Sequence, residues 1–129
     1  MVKKKVLTAE RIRQIRGGFS FIPHRFLTDG FLAALGQKEL LLYFFLVLVS
    51  DRQGLSFYSY DAICALLELT LDEYLDARNA LIDKDLIAFD GTLFQVLELP
   101  AADKEIKARR CPAVARQIQL SLMEAHDAQ

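Results

Sequence analysis

The sequence predicts a mainly α-helical domain with a small β-hairpin, an α+β class, on the strength of three observations. Residues 59–99 hold two short helix signals a few residues apart, followed at once by two β-prone runs around Asp90-Gly91. Ahead of them lies an apolar run of ten residues, Leu40 to Val49, which favours a buried helix. The chain of 129 residues is 53% hydrophobic and 26% charged, so it has the material for one packed core.

The first twenty residues are predicted to form a basic arm that includes one short helix. Thr8 is a suitable N-cap for a helix that runs to about Arg16, where two glycines follow. Residues 19–22 are predicted to be extended, because Pro23 disfavours helical backbone just before it. One or two helical turns are expected over residues 25–35.

Residues from Gln37 to about Ser50 predict the first long helix, and its central part is apolar on every side. Such a helix has to be covered on every side. Two arrangements are open. Either the rest of the domain wraps this helix, or one side of it packs on a second copy and the protein is a homodimer. The nine Phe and four Tyr fit the dimer, but the sequence does not separate the two.

Two further helices are predicted from their N-terminal caps. Ser59 is a good N-cap for a helix from Tyr60 to about Leu67. Thr70, followed three residues later by Glu73, matches a capping box and begins a third helix to about Lys84.

Short strands are predicted at Leu55–Tyr58, Leu86–Phe89 and Thr92–Leu97. Asp90-Gly91 would join the last two through a type I′ turn, since glycine tolerates positive φ. These elements divide the chain into a basic N-terminal arm, a central domain and a C-terminal helical extension with a break near Pro112. The boundaries are residues 1–20, 21–100 and 101–129.

Several short segments and a frame of spaced positions suggest a family. They are Phe21-Ile22-Pro23, Lys38 to Tyr43, Asp51 to Gly54, Ile63, Leu66, Leu67, Leu69, Thr70, Tyr74, Ala77, Leu81 and Asp85-Leu86-Ile87.

With these residues in this order, the chain resembles the winged helix-turn-helix superfamily over about Gln37–Leu99. It looks most like the N-terminal domains of bacterial replication-initiator and DnaD-type primosomal proteins. That family usually has glycine where Asp85 stands here. The resemblance implies a winged helix-turn-helix with N- and C-terminal helical extensions, a third helix that faces DNA, and a wing that touches the DNA backbone or minor groove. It also implies a role in transcription regulation or in replication of an accessory element.

The distribution of charge points to the arm as the source of any affinity for DNA. The net charge is +6 over residues 1–28, −8 over residues 29–100 and +1 over residues 101–129. A polyanion would therefore be steered by the arm rather than by the acidic domain. The candidate DNA-binding residues are Lys3, Lys4, Lys5, Arg11, Arg13, Arg16 and Arg25, with Asn79 and Lys84 on the third helix.

The third helix itself argues against direct reading of bases. At 100° per residue, Leu71, Tyr74, Leu75, Leu81 and Ile82 share one arc that is expected to face the core. Beside that arc lies a strip that would be exposed. It consists of Asp72, Asp76, Asn79 and Asp83.

Carboxylates close to phosphates are unfavourable unless cations compensate them. The basic arm supplies such cations, and a tail set in the C-terminal extension is a second source. The alternative function is a module for protein–protein interaction or oligomerisation without direct DNA readout, with Asp72, Asp76 and Asp83 as partner-binding residues. The tail set is Lys104, Lys107, Arg109 and Arg110.

Other side chains give weaker signals. The predicted wing tip carries no Lys or Arg, and Arg78 is expected either to snorkel past the core edge or to pair with Asp76 or Asp83. The aromatic cluster before the second helix could stack on unpaired bases, but packing between strand and helix is the expected role. The cluster is Phe57, Tyr58 and Tyr60.

The remaining composition limits the classes that fit. The sequence has no nucleophile-elbow, phosphate-loop or metal-protease motif, so we expect no enzyme and no cofactor. Two histidines, His24 and His126, are too few to suggest a metal site. Cys64 and Cys111 are expected to be reduced thiols in a cytoplasmic protein. The longest apolar run is about half of what spans a bilayer.

Overall fold

The computed structural model describes residues 2–101, and over that range it is mainly helical with a small three-stranded antiparallel sheet. In chain order the elements are α1 Arg25–Thr28, α2 Phe31–Ala34, α3 Gln37–Val49, β1 Leu55–Ser56, α4 Tyr60–Leu67, α5 Leu71–Asp83, β2 Ile87–Phe89 and β3 Phe94–Val96. The predicted C-terminal helices and the tail set lie outside the described residues.

The sheet has the strand order β1–β3–β2, so the last strand lies between the other two. Ser56 pairs with Phe94 on one side of β3, and Phe89 pairs with the same residue on the other side. Gly54 brings the chain into β1 with φ +84°, and its carbonyl accepts a hydrogen bond from the Val96 amide at 2.8 Å. A Cβ at this glycine would lie 2.4 Å from the Val96 carbonyl oxygen, so the close approach requires glycine.

The hairpin between β2 and β3 has a four-residue loop, and the predicted two-residue type I′ turn is wrong. Both central residues of that turn need positive φ, and of the pair only Gly91 has it, at +100°. The Asp90 carboxylate instead accepts the amides of Thr92 at 2.8 Å and Leu93 at 2.7 Å. These bonds stabilise the longer loop, so the last strand begins at Phe94 and not at the predicted Thr92.

The N-terminal arm is almost free of regular structure, and the predicted helix from Thr8 to Arg16 is wrong. Only a 3-10 turn, Ala9–Arg11, forms, and the Thr8 side chain makes no capping hydrogen bond. Residues 2–19 are all exposed, so no side chain of this part of the arm is packed in the core of the domain. Short helices are marginal without such packing.

The core is built on α3. Leu42 and Leu46 of this helix are completely buried, as are Leu81 of α5 and Phe94 of β3. Tyr43 stacks on Phe26 of α1 with ring centroids 4.9 Å apart. The first long helix is thus central, as predicted, with α5 and the sheet on one side and α1 on a neighbouring flank.

One stripe of α3 remains outside that core. Leu41, Phe44 and Leu48 are 39%, 53% and 59% exposed. Within residues 2–101, therefore, the domain does not wrap every side of its apolar helix. Of the two arrangements that the sequence left open, complete coverage by the rest of the domain is not found in this part of the chain.

Candidate nucleic-acid interface

The junction between α4 and α5 is defined by capping bonds. Ser59 Oγ accepts the Ala62 amide at 3.3 Å at the start of α4. At the start of α5, Thr70 Oγ1 accepts the Glu73 amide at 3.1 Å, and Glu73 Oε1 accepts the Thr70 amide at 2.9 Å. Both predicted caps, including the capping box, are confirmed. Glu68, at φ +56°, ends α4 in the left-handed region and turns the chain toward α5.

The outward strip of α5 consists of Asp72, Asp76, Asn79 and Asp83, and all four are exposed as predicted. Among residues 2–101, none of the three aspartates forms an ion pair. The strip is therefore a row of uncompensated negative charge, which repels phosphates at neutral pH.

The buried face of α5 differs from the predicted one. Tyr74, Ala77 and Leu81 are buried, whereas Leu71 and Ile82 are 50% and 36% exposed. The centre of the buried arc is thus rotated by roughly 70° from the predicted arc. The buried face therefore includes the small Ala77 side chain and leaves the larger Leu71 half-exposed.

Two ion pairs join α3 and α5 in this orientation. Lys38 pairs with Glu73 near the start of α5, and Lys84 Nζ lies 2.6 Å from Glu39 Oε1 at its end. Lys84, a predicted DNA-binding residue, therefore points toward α3 and not along the outward strip. Its ammonium would have to leave Glu39 before it could reach a phosphate.

Arg78 occupies the edge between the core and the outward strip. Its guanidinium lies 5.0 Å from the Phe89 ring centroid and 5.6 Å from that of Tyr74. It also donates to Asn79 Oδ1 at 3.3 and 3.4 Å. Snorkelling past the core edge is confirmed. No ion pair with Asp76 or Asp83 forms within the described chain.

The contacts of Arg78 affect the pKa of the Tyr74 phenol and the hydrogen bonding of the Asn79 amide. Burial raises the pKa of the Tyr74 phenol, and the nearby Arg78 guanidinium partly opposes that rise. Asn79, the one predicted base-reading residue of the strip, already uses its amide oxygen as an acceptor for Arg78.

The β2–β3 hairpin, the predicted wing, offers no positive charge to DNA. Residues 87–96 contain no Lys or Arg. The amides of Leu93 and Thr92 donate to the Asp90 carboxylate and hold its pKa below the usual range, so the tip is negative at neutral pH. Any contact between this hairpin and DNA would have to use neutral donors, such as the exposed Thr92 hydroxyl or backbone amides.

Six exposed cations lie on the arm. Lys3, Lys4, Lys5, Arg11, Arg13 and Arg16 are all exposed. Arg16 donates to Gln14 Oε1 at 2.8 and 3.2 Å. None of the six forms an ion pair with another residue of the 2–101 range. Their charge is therefore available to an external anion.

Arg25, in contrast, is part of the fold. Its guanidinium pairs with Asp29 Oδ2 at 3.0 Å and donates to the carbonyl oxygens of Leu99 and Pro100, the latter at 2.8 Å. It also lies 5.7 Å from the Phe31 ring centroid. A role of Arg25 in DNA binding would disrupt these bonds, so we assign it to the connection between α1 and the end of the domain.

A cleft of about 820 Å³ lies where the arm meets the domain, and it contains a cation that the sequence analysis overlooked. One wall is the segment from Gly17 to Phe21, which is attached to α3 by a hydrogen bond from Ser20 Oγ to the Leu48 carbonyl at 3.3 Å. Arg52, in the turn after α3, lines the opposite side and is exposed. The signal that the sequence offered was the position of Arg52 in a turn, where side chains are usually exposed.

The aromatic cluster before α4 is more exposed than predicted. Tyr58 packs edge-on against Phe45 with centroids 5.3 Å apart and is 41% exposed. Phe57 and Tyr60 are 66% and 52% exposed, so the expected packing between strand and helix is wrong for these two. β1 ends at Ser56, before the cluster, so the chain that carries these two rings leaves the sheet.

Other kinds of site have less support. His24 is exposed, and its side chain makes no capping bond to α1. Residues 2–101 contain no group of three or more His, Cys, Asp or Glu placed to hold a metal ion. In the same range, every helix is too short or too polar to cross a membrane.

No family model, no curated protein and no solved structure matches the chain. The case for its function therefore rests on its own residues.

Proposed function

We propose that the chain is a winged helix-turn-helix protein that binds DNA, with phosphate affinity supplied by the N-terminal arm. The order α3–β1–α4–α5–β2–β3 and the strand order β1–β3–β2 support the fold. Asp85 adds to this support, because its φ of +64° falls in the region that favours the glycine usual in the resembled family. A role in transcription regulation or in replication of an accessory element follows from the resemblance.

The DNA-binding proposal depends on one contrast: most cations of the domain have partners within the fold, whereas the cations of the arm form no ion pair among the described residues. Lys38 and Lys84 are ion-paired within the domain, and Arg25 is bonded to the carbonyls of Leu99 and Pro100. The six cations of the arm have no such partners among residues 2–101. Unpaired cations on an exposed segment release counterions from DNA, which gives affinity without sequence readout.

The acidic strip of α5 constrains how the DNA would lie. Asp72, Asp76 and Asp83 disfavour insertion of this helix into a groove, where phosphates surround it. The arm and Arg52, which both border the cleft at the end of α3, favour contact on that side of the domain. In this arrangement the arm sets affinity, and α5 keeps the duplex from docking on the wrong face.

Fluorescence anisotropy of labelled duplex and single-stranded DNA tests the proposal. If all six arm cations contact phosphates, the slope of log K against log salt is about −5 for duplex DNA. Substituting Lys3, Lys4 and Lys5 by alanine should reduce that slope by about half, with an equal effect from Arg11, Arg13 and Arg16. The control variant, Lys38→Met/Lys84→Met, removes two ion-paired cations and should leave the slope unchanged.

Absence of binding at low salt would overturn the DNA-binding proposal. So would equal affinity of the wild type and of a variant in which all six arm cations are alanine. Either result leaves the winged-helix fold as a scaffold with another use.

A second candidate function is a protein–protein interaction module that uses the outward strip of α5. The specific observation in its favour is that Asp72, Asp76 and Asp83 are exposed and without ion pairs among the described residues. Leu71 and Ile82, half-exposed beside them, add apolar surface. Asp72→Lys/Asp76→Lys separates the candidates: it tightens nonspecific DNA binding under the first and abolishes capture of a basic partner under the second.

A further inference from the structure

The cleft between the arm and the domain has the size and the lining of a binding site. Its volume is about 820 Å³. Sites for small molecules and cofactors usually measure about 300–1,000 Å³ and combine apolar walls with a few polar groups. The apolar walls come from the segment before α1, from α3, and from β3 with the residues after it: Phe19, Phe21, Pro23, Val47, Val96 and Leu99.

The Tyr43 hydroxyl is a polar group of this cleft that has no partner in the fold. Tyr43 lines the cleft and is only 2% exposed. Among residues 2–101 its hydroxyl forms no hydrogen bond, and burial raises the pKa of the phenol. Ser56 Oγ is the one unbonded side-chain oxygen of that range that is completely sealed, so the Tyr43 hydroxyl opens into the cleft. Because buried polar groups nearly always have a partner, this hydroxyl indicates a partner outside the chain.

Two aromatic rings on the arm side of the cleft are open to a ligand. Phe19 and Phe21 are 69% and 75% exposed. Ser20, between them, holds the segment on the domain through its hydrogen bond to the Leu48 carbonyl. Every nucleobase has a flat face that stacks on such rings, whatever the sequence. The two rings are therefore anchored beside the domain and available to an unpaired base.

Cations lie on both sides of these rings. Arg16 is three residues before Phe19, so their Cα atoms are at most about 11 Å apart. Arg52 is exposed on the opposite side of the cleft and forms no ion pair with another residue of the 2–101 range. A guanidinium matches the geometry of a phosphate. Aromatic rings beside cations are the combination with which proteins bind single-stranded nucleic acids.

Two carboxylates also line the cleft, and neither is paired with Arg52. Asp51 accepts the amides of Gln53 and Leu55 within its own turn, both at 2.9 Å. Glu98 is exposed and forms no ion pair within the described chain. A carboxylate accepts a hydrogen bond from the amino group of cytosine, so Glu98 is compatible with a base at its side of the cleft.

We propose that this cleft binds an unpaired nucleotide of single-stranded DNA, with the base against Phe19 and Phe21 and a phosphate on Arg52. The Tyr43 hydroxyl then gains its missing partner from the same nucleotide. The inference rests on the proposed DNA binding and adds to it a preference for single strands. A duplex offers no such nucleotide unless a base leaves the stack, which costs its pairing and stacking.

Fluorescence anisotropy of the full chain, with a short oligodeoxycytidylate and with a duplex of the same length, tests the inference. Phe19→Leu/Phe21→Leu should weaken binding of the single strand about tenfold, because leucine is apolar but offers no aromatic face. Its affinity for the duplex should stay at the wild-type value, and so should the salt dependence of both complexes, since no charge is removed. Circular dichroism establishes that each variant keeps its helices.

The matched control removes two other exposed rings. Phe57→Leu/Tyr60→Leu changes aromatic residues that lie outside the cleft. This variant should bind the oligodeoxycytidylate as tightly as the wild type does.

A second probe separates contact with bases from contact with the sugar-phosphate chain. An oligomer of the same length in which every nucleotide lacks its base has the same charge. The wild type should bind it about tenfold more weakly than the oligodeoxycytidylate, because no base can stack. Phe19→Leu/Phe21→Leu should bind it as the wild type does.

Two single variants test the polar contacts of the cleft. Tyr43→Phe removes the hydroxyl and keeps the ring that stacks on Phe26, so it should weaken single-strand binding about fivefold. Arg52→Met should reduce the slope of log K against log salt by about 0.7 for the single strand. Lys38→Met removes an ion-paired cation and should leave that slope unchanged.

Four results would rule the inference out. They are wild-type affinity of Phe19→Leu/Phe21→Leu for the oligodeoxycytidylate, an equal loss for the duplex or for the oligomer without bases, a loss confined to Phe57→Leu/Tyr60→Leu, and wild-type behaviour of both Tyr43→Phe and Arg52→Met. In each case the salt dependence measured with the arm variants still judges the proposed DNA binding by itself. A chain that binds neither DNA removes both.

Discussion

Helices α3 and α5 have the same length, thirteen residues, and pack against each other, yet their outer surfaces are opposite in character. Leu46 of α3 and Leu81 of α5 are both fully buried in one shared core. On the outside, α3 presents the apolar side chains of Leu41, Phe44 and Leu48. The outer surface of α5 instead presents aspartates. The difference shows that the buried face of a helix fixes its place in the domain and leaves the outward face free for another use.

The helices also differ in how they are held. α5 starts with a reciprocal capping box at Thr70 and Glu73 and is tied at both ends to α3 by ion pairs. The N-cap of α3, Gly36, makes no side-chain capping bond. Both helices therefore depend on burial and on the ion pairs that join them, and α5 alone adds a capping box. The following predictions test that contrast.

The largest effects are expected from cavities in the shared core. Leu46→Ala on α3 and Leu81→Ala on α5 should each lower the free energy of unfolding by about 2–5 kcal/mol, because both leucines are completely buried. Urea denaturation measures the loss. Leu66→Ala, at a position that is 65% exposed, is the control and should change stability by less than about 0.5 kcal/mol. Equal losses at all three positions would contradict this core.

The capping box should have the next largest effect. Thr70→Ala removes the oxygen that accepts the Glu73 amide and should lower the free energy of unfolding by about 1 kcal/mol. Thr70→Ser keeps that oxygen and should retain most of the stability. If the serine variant loses as much as the alanine variant, the hydrogen bond is not what begins α5.

The ion pair between Glu39 and Lys84 should contribute less. A double-mutant cycle with Glu39→Gln and Lys84→Met should give a coupling energy of about 0.2–1 kcal/mol, since both side chains are partly exposed. Denaturation at low and high salt should show the coupling fall as salt rises. A coupling of zero at low salt would mean that this pair does not stabilise the contact between α3 and α5.

The smallest effect concerns two buried tyrosines, one on each helix. Burial raises the pKa of both Tyr43 and Tyr74 above 10.0, and only Tyr74 has an arginine that opposes the rise. Arg78→Met should therefore raise the pKa of Tyr74 further and leave that of Tyr43 as an internal reference. Ultraviolet titration of tyrosinate, with Tyr74→Phe for assignment, measures both.

The sign of the linked stability change follows from the direction of these shifts. The folded state favours the neutral phenols, so their contribution to stability is fully present below the unfolded pKa of about 10. It is lost as pH rises through the folded values. A pKa of Tyr74 that stays constant in the Arg78→Met variant would contradict the role given to the guanidinium.

The sequence predicted best the features that depend on neighbours along the chain. The cap at Ser59 was predicted from its residue type before a helix signal and the cap at Thr70 from the glutamate three residues on, and both exist. The span of α3 was predicted within one residue at its C-terminal end, because its apolar run and the turn after it are local signals. The acidic strip of α5 also followed from helical spacing alone.

Features that depend on tertiary contacts were predicted less well. Hydrophobicity placed Leu71 in the buried face of α5, but the face that packs in the core is centred near Ala77, and Leu71 is 50% exposed. The helix in the arm was predicted from Thr8 and fails because nothing packs on it. Lys84 and Arg25 looked like free cations, and only the fold shows their partners.

The bond between Arg25 and the carbonyls of Leu99 and Pro100 has a consequence for the layout of the whole chain. One guanidinium spans only a few ångströms, so the entrance to the domain after residue 24 and its exit near residue 100 are neighbours in space. The basic arm therefore joins the domain close to the point at which the described chain ends. A circularly permuted gene that joins the two points by a short linker, with new ends opened in the exposed loop at Gly91, should preserve the domain.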